Sequence, residues 1–331
     1  FTNDVNFTAV LQGGLSNQSF QRVDYFAQPA NPESDKENVG GGYLKGGANY
    51  NISDRSNVFF NAGLISRQPN FDAVFPNYAN NVNPDLQNEE IKSFELGYGY
   101  VTNNFKVNVN AYSTVWGNRF VTRSLSNSQG VDGFAQFKNI DVVHNGIEVE
   151  SSWNPFDNLR FKGMLSIGDW RYTKDFEAEL FDDNQQSIGT GTLYLKDAKV
   201  GDAAQFVSYL EADYRLGSKL NVDLGYRFVD NLYADYSITD SEFTQPDNAG
   251  ALKLPSYGLL DLGTTLRFNL FGNDATFRVN INNLLDTTYI AESNSNIHAD
   301  ASSTTWNGVD TRNYVWFGFG RTWNASLKYR F

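Results

Sequence analysis

Asn324–Phe331 reads NASLKYRF. Ala325, Leu327, Tyr329 and Phe331 fall on one side of an extended chain; Asn324, Ser326, Lys328 and Arg330 fall on the other. Side chains alternate with period two along a strand, so this stretch predicts a strand with one apolar face. Chain ends ordinarily fray, whereas this pattern predicts pairing through Phe331. The same alternation recurs upstream, as in Phe94, Leu96, Tyr98 and Tyr100, in Phe105, Val107 and Val109, in Leu220, Val222, Leu224 and Tyr226, and in Phe277, Val279 and Ile281. Helical periodicity is nearly absent. About twelve strands are expected, each near the ~10 residues that a tilted membrane-crossing strand needs.

The connections between these strands alternate in length. Short ones are expected at Ser53–Asn57, Thr102–Asn104, Asn154–Asn158, Gly217–Lys219 and Gly272–Asp274. Long ones are expected at Ala27–Gly40, Gln68–Ile91, Phe120–Gln136, Thr173–Ala203, Val229–Pro255 and Thr287–Val315. Turns at one end and long loops at the other are the pattern of an antiparallel transmembrane β-barrel. A secreted β-sandwich or carbohydrate-binding module does not account for that asymmetry, because long structureless connections are uncommon in soluble domains. All eight prolines fall outside the expected strands, as ladder pairing requires.

Composition agrees with this all-β reading. The chain has 331 residues, 40% hydrophobic and 15% aromatic, with a mean hydropathy of −0.46. No apolar run approaches the ~18 residues of a membrane helix, but a barrel strand hides its apolar half by alternation. Abundant aromatics suit interfacial girdles, and Trp316, Phe317 and Trp323 are expected there. A formal charge of −12 argues against nucleic acid as partner. With no cysteine and only His144 and His298, no metal site, resident cofactor or catalytic constellation is expected. Aromatic and guanidinium side chains concentrate near the long connections: Arg67, Phe71, Phe75, Tyr78, Trp116, Arg119, Trp170, Tyr172, Tyr233 and Tyr236. Such groups suit capture of a planar chelate or a sugar face, so they are the candidate ligand-binding set.

Asn57–Tyr100 resembles one region of the TonB-dependent outer-membrane receptors. That family runs from Arg-x-Pro through an aromatic loop and Asn-Pro-x-Leu-x-Pro-Glu into a strand carrying Glu-x-Gly. The matching positions are Arg67, Pro69, Asn83, Pro84, Leu86, Glu89, Glu95 and Gly97, with Asn88 where the family has proline. HNGIEVE at 144–150, INNLLDTTY at 281–289 and GRTWNASLKYRF at 320–331 resemble further strands of the family. The resemblance implies that residues 1–331 are the C-terminal portion of a barrel of about twenty-two strands with a plugged lumen, ending in a closing strand at 316–331. The plug domain would lie outside this chain. Glu95, Glu148, Glu150, Glu211, Asp213, Arg227 and Arg278 would face the plug. Ala325, Leu327, Tyr329 and Phe331 would form the signal read by the barrel assembly machinery.

The implied function is energy-coupled import of a scarce solute, a ferric siderophore or similar metal chelate, across the outer membrane of a Gram-negative bacterium. The implied partners are the plug and remaining strands, the TonB energy-coupling complex, outer-membrane lipid and a surface lipoprotein. A glycan or peptide importer is the alternative within the family. From another class, a stand-alone twelve-stranded passive porin or an autotransporter translocator also fits the strand count.

Overall fold

The computed structural model describes residues 6–26, 29–126, 132–184, 186–236 and 241–331. The strands are β1 (Phe7–Phe20), β2 (Glu37–Ser53), β3 (Ser56–Arg67), β4 (Glu89–Val101), β5 (Phe105–Ser126) and β6 (Asp132–Phe156). They continue with β7 (Leu159–Tyr172), β8 (Phe176–Asp182), β9 (Ser187–Leu193), β10 (Phe206–Leu216), β11 (Leu220–Asp230) and β12 (Tyr257–Leu270). The last are β13 (Asn273–Asn282), β14 (Ile290–Ser293), β15 (Thr305–Trp306), β16 (Val309–Asp310), β17 (Val315–Phe317) and β18 (Thr322–Tyr329). One helical turn, α1 (Phe71–Val74), is capped by the Asn70 side chain accepting from the Ala73 N–H at 2.9 Å.

Twelve strands form one antiparallel wall in the order β1-β2-β3-β4-β5-β6-β7-β10-β11-β12-β13-β18. Wall neighbours follow one another along the chain, with β8–β9 and β14–β17 lying in the connections β7–β10 and β13–β18, so each connection is a hairpin or a longer loop. β1 and β18 each pair on one side only among the described residues, and the barrel is not closed within this chain. The turn end is tight. Phe271 and Gly272, both at positive φ (51° and 87°), make the two-residue turn between β12 and β13, the geometry whose twist matches paired strands.

Parity holds across the wall. The row Tyr98–Val109–Val149–Leu165 runs over β4 to β7 in register. Leu96 (52%), Leu210 (58%) and Leu327 (60%) stay exposed on this apolar face. The buried core lies elsewhere. One cluster joins Phe137, Ile140, Val142, Tyr172, Phe176, Leu193 and Tyr236. A second joins Leu232, Leu254, Ile290 and Val309, and a third joins Phe20, Val74 and Phe75. All three belong to the loop end, so the loops form a packed layer with its own core.

Three expectations need correction. Phe120–Gln136 is not simply a loop: β5 reaches Ser126 and β6 begins at Asp132. Register shifts after Trp116 and Arg119 carry this ribbon above the wall, where its apolar face joins the loop core. Thr173–Ala203 likewise holds β8, which pairs to β6, and β9, which pairs to β8, so that the two extend the ribbon. The closing strand is shorter than 316–331. Val315–Phe317 pairs instead with β14, and β18 spans Thr322–Tyr329. Gly318 separates the two, with the Tyr289 ring so close that a Cβ there would overlap it. Pairing ends when the Arg330 N–H donates to the Asp274 carbonyl at 3.1 Å, and Phe331 is fully exposed.

The polar face has a shape requirement of its own. The Phe59 ring lies across Gly97, where a Cβ would come within 2.1 Å of it, an aromatic-over-glycine pairing that braces a curved sheet. Gly97→Val should cost about 1–3 kcal/mol through overpacking. It should lower the yield of barrel that resists unfolding in unheated detergent gels, and Phe59→Ala in the same chain should restore that yield. Normal yield of the single variant would show that the ring moves freely.

Candidate functional site

At the loop end, three sequence-predicted residues meet. Arg67 ends β3, and Trp116 and Arg119 belong to β5 where its register shifts. The Asn118 backbone is left-handed (φ 58°), and its N–H donates to Asp141 at 2.9 Å. The guanidinium carbons of Arg119 and Arg67 lie 4.7 and 5.7 Å from the Trp116 ring centroid. Both lie within the range in which a cation is attracted to an indole face. Arg67 also pairs with Glu89 at 3.4 Å, across a register position the two share. Arg119 has no carboxylate partner among the described residues. The cluster therefore offers an aromatic plane and an uncommitted guanidinium together.

The other predicted loop residues divide by burial. Tyr172 and Tyr236 are buried, edge to face at 5.6 Å, and burial pushes the Tyr172 hydroxyl well above its ordinary pKa and raises that of Tyr236. Arg123 lies over Tyr236 and pairs with Asp235 at 2.7 Å. Burial opposes its charge, but the Asp235 carboxylate more than compensates, and its pKa is raised. Phe75 is buried against Phe71, which is partly open. Tyr78 is exposed and stands edge-on to Phe134 at 5.2 Å. Trp170 donates from Nε1 to the Tyr112 hydroxyl at 3.0 Å and stacks edgewise on His144. Tyr233 is half-buried and bridges by backbone to Lys253. Phe75, Tyr172 and Tyr236 thus pack the layer, while Arg67, Trp116, Arg119, Phe71 and Tyr78 lie nearer its surface.

Motif residues hold the layer in place. Asn83 is buried, and its Nδ2 donates to the Ala73 carbonyl at 3.0 Å, tying the loop to α1. Asn88 donates to the Gly40 carbonyl (2.7 Å) and to Ser66 (2.8 Å), a tie that proline could not make. His298 contacts the Gly250 carbonyl, while His144 sits in β6. Among the described residues no group of His, Asp and Glu is arranged to hold a metal ion.

The polar face of the wall carries the second predicted set, and cross-strand register divides it. Lys162 pairs with Glu211 at 2.8 Å, and Arg160 with Asp213 at 3.3 Å. Arg278 grips Asp223 through both terminal nitrogens, at 2.9 and 3.0 Å, and also reaches Thr265 and Asn280. These charges are already matched within the wall. Glu95, Glu148 and Glu150 are different. Asn110 donates to Glu95 at 3.2 Å and to Glu148 at 3.3 Å, and Asn61 donates to Glu95 at 3.0 Å. Among the described residues none of the three carboxylates pairs with a cation. Arg227 also has no carboxylate partner there. Lys162 and Arg160 escaped sequence reading; pairing the strands in register would have shown them opposite Glu211 and Asp213. On β18, Ala325, Leu327 and Tyr329 lie on the apolar face.

The sequence profile described as TonB dependent receptor-like, beta-barrel, matches residues 3–284, and the chain belongs to that family. A search of curated protein sequences gave no match. Among solved structures, the copper transporter OprC superposes with a TM-score of 0.64 at 14% identity, over 96% of this chain and 45% of that one. The siderophore receptor PiuA from Acinetobacter baumannii gives 0.62 at 16%, over 97% and 41%. The ferric-catecholate import receptor Fiu from Escherichia coli K12 gives 0.59 at 16%, over 99% and 43%. The chain therefore spans less than half the length of these three proteins, and at such identities they speak for the fold.

One buried carboxylate, Asp310, gathers several donors within the loop layer. Asp310 on β16 accepts from the Arg312 guanidinium at 3.0 and 2.7 Å, from Ser303 at 2.5 Å and from the Arg312 N–H at 2.8 Å. Those bonds, the Arg312 guanidinium first, hold its carboxyl well below the ordinary range. A depressed folded pKa stabilises above the unfolded value of ~3.9 and is lost as pH falls below it. Amide exchange across 305–313, taken relative to the same amides in an unfolded peptide at each pH, should therefore stay slow from neutrality down to about pH 4 and quicken below. Asp310→Asn should quicken it already at neutral pH. Equal protection of both proteins at neutral pH would remove Asp310 as the anchor.

Proposed function

We propose that the chain is the C-terminal part of the barrel of an outer-membrane receptor in a Gram-negative bacterium. This receptor imports a ferric siderophore or a similar metal chelate by coupling to an energised inner-membrane complex. The family match over residues 3–284 carries this reading. The Arg67–Trp116–Arg119 cluster supports the solute class: chelates of ferric iron are commonly planar in part and anionic, and this cluster offers an indole face with cations beside it. The loop layer would capture the solute, and a plug within the lumen would move to admit it. No covalent step is needed, and this chain supplies wall, loop contacts and lumen contacts.

The unmatched carboxylates support a plug seated on β4–β6. Glu95 and Glu148 share one amide donor and lack a cation, so a domain that covers them must bring guanidinium or ammonium groups. The assembly machinery would read β18, and lipid would cover the apolar face.

Uptake of radio-iron from defined ferric chelates by cells carrying the full-length receptor tests the reading. Trp116→Ala should weaken binding of the transported chelate roughly tenfold, the scale of losing stacking and cation–π attraction, with the amount of folded receptor unchanged. No iron chelate taken up by wild type above a receptor-deleted strain would overturn the solute class and favour a glycan or peptide. Glu148→Ala should raise sensitivity to large antibiotics that the outer membrane normally excludes. Unchanged sensitivity would count against a plug resting on Glu148.

A further inference from the structure

The ribbon above the wall ends in an open edge. Among the described residues β9 pairs with β8 alone. Tyr194, one residue past β9, turns its backbone away from β8. Its N–H donates to the Phe243 carbonyl at 2.8 Å, and its carbonyl accepts from Asn248 Nδ2 at 2.9 Å. Backbone groups of an antiparallel strand point to alternate sides, so Thr192 and Thr190 turn the same way as Tyr194. Among the described residues nothing bonds to them there. Natural edges are guarded by charges, proline or a covering segment. β9 reads SIGTGTL, without charge or proline, and Ile188, Gly189, Thr190 and Thr192 are exposed.

One face of this ribbon is packed: Phe176, Ala178 and Leu193 are buried in the loop core, with Leu180 against it. The other face is polar and lines a cavity of about 500 Å³. On it Glu177 stands opposite Thr192, and Glu179 opposite Thr190. Lys138 and Lys174 line the same cavity, but they pair with Asp85 at 3.6 Å and with Asp141 at 2.7 Å. Glu177 and Glu179 make no ion pair or hydrogen bond among the described residues. Unmatched negative charge therefore lies beside an unpaired strand edge.

We propose that β9 takes on an added strand, an extended segment of another polypeptide with lysine or arginine at alternate positions. The backbone selects a strand. Thr190 and Thr192 each turn out a donor and an acceptor, and an extended chain answers both. A small anion accepts but does not donate, and the neighbouring carboxylates repel it. The side chains select the charge. A residue opposite Thr190 on the added strand lies two strand spacings from Glu179, ~10 Å, and threonine is short enough for a long basic side chain to pass over it. Thr192 and Glu177 repeat the arrangement. Residues between the cations turn to the other face, toward Gly191 and Leu180, where apolar side chains fit. A second copy of this chain fits worse, because its β9 brings no cation and its β8 brings the same carboxylates. The site depends on the ribbon alone and on no particular solute, so its failure would leave the import reading standing.

Hydrogen exchange of the purified full-length receptor, resolved to single amides, tests this with a short synthetic peptide that alternates lysine and threonine. In the receptor alone the Thr190 and Thr192 amides should exchange roughly tenfold faster than that of Gly191, which faces β8. The peptide should slow both roughly tenfold. The same peptide N-methylated at its lysines, the residues whose backbone would meet Thr190 and Thr192, should leave them fast. The Glu177→Gln, Glu179→Gln double variant should bind the peptide roughly fivefold more weakly at equal folded receptor. Slow exchange at Thr190 and Thr192 without peptide would show the edge already covered, by this chain or by a second copy, and overturn the proposal. Equal protection by the N-methylated peptide would reduce the contact to charge attraction without strand addition, and equal binding by the double variant would remove the basic occupant. Either result overturns it too.

Discussion

Register governs this molecule. Each wall strand exchanges its backbone hydrogen bonds with its neighbours, and side chains leave alternately to two environments. A slip of one residue between β4 and β5 would carry Leu96 to the polar face and Glu95 to the apolar one. The same slip would separate Glu95 from Asn110. In hydrocarbon no water can replace a lost backbone bond, so pairing and side-chain sorting are enforced together. The tight turns set that register at one end and leave the loops free to vary at the other.

The consequence is an inverted distribution of burial. Leucines and aromatics on the wall stay open to the surroundings, while the buried side chains collect in the loop layer. The ribbon of β5, β6, β8 and β9 gives that layer a frame, and Tyr172 and Tyr236 fill it. Trp116 and Arg119 sit where this ribbon leaves the wall, so their geometry depends on the register shifts below them and on the packing above. On the proposed function a packed loop layer would favour capture, because ordering a loose loop on binding would cost affinity.

The sequence exposed the wall because its signal is local: Phe94, Leu96 and Tyr98 alternate with Glu95 and Gly97 whatever their partners are. Composition could not reveal where the strands would stop. Residues 120–136 are rich in Ser, Asn, Gln and Gly and resemble a loop, yet Val121, Leu125 and Ala135 join the cluster of Phe176 and Tyr236 from distant parts of the chain. Tyr172 and Tyr236 were legible as aromatic loop residues, but not as buried ones, because burial is set by partners far away in sequence. The Arg67–Trp116–Arg119 grouping was legible as residue types, while its cation–π geometry required the bulge near Asn118. Charges on the polar face show the same limit: Glu148 and Glu211 look alike in sequence, and only register gives Glu211 its lysine.

That division has an energetic meaning. The ion pairs of Lys162 and Arg160 stand partly open to solvent, where such pairs contribute ~0–1 kcal/mol, so they do little to hold the wall together. They do remove charge that a covering domain would otherwise have to satisfy. Among the described residues Glu95 and Glu148 are left without that relief. Covering an unmatched charge with protein removes its water and costs several kcal/mol unless an opposite charge arrives with the cover. The unmatched groups therefore contribute little to the stability of the wall alone and much to the choice of what can rest against it. On the proposed function, a covering domain with the wrong charge pattern would be rejected there, whereas hydrophobic contacts, being non-directional, could not distinguish one orientation from another.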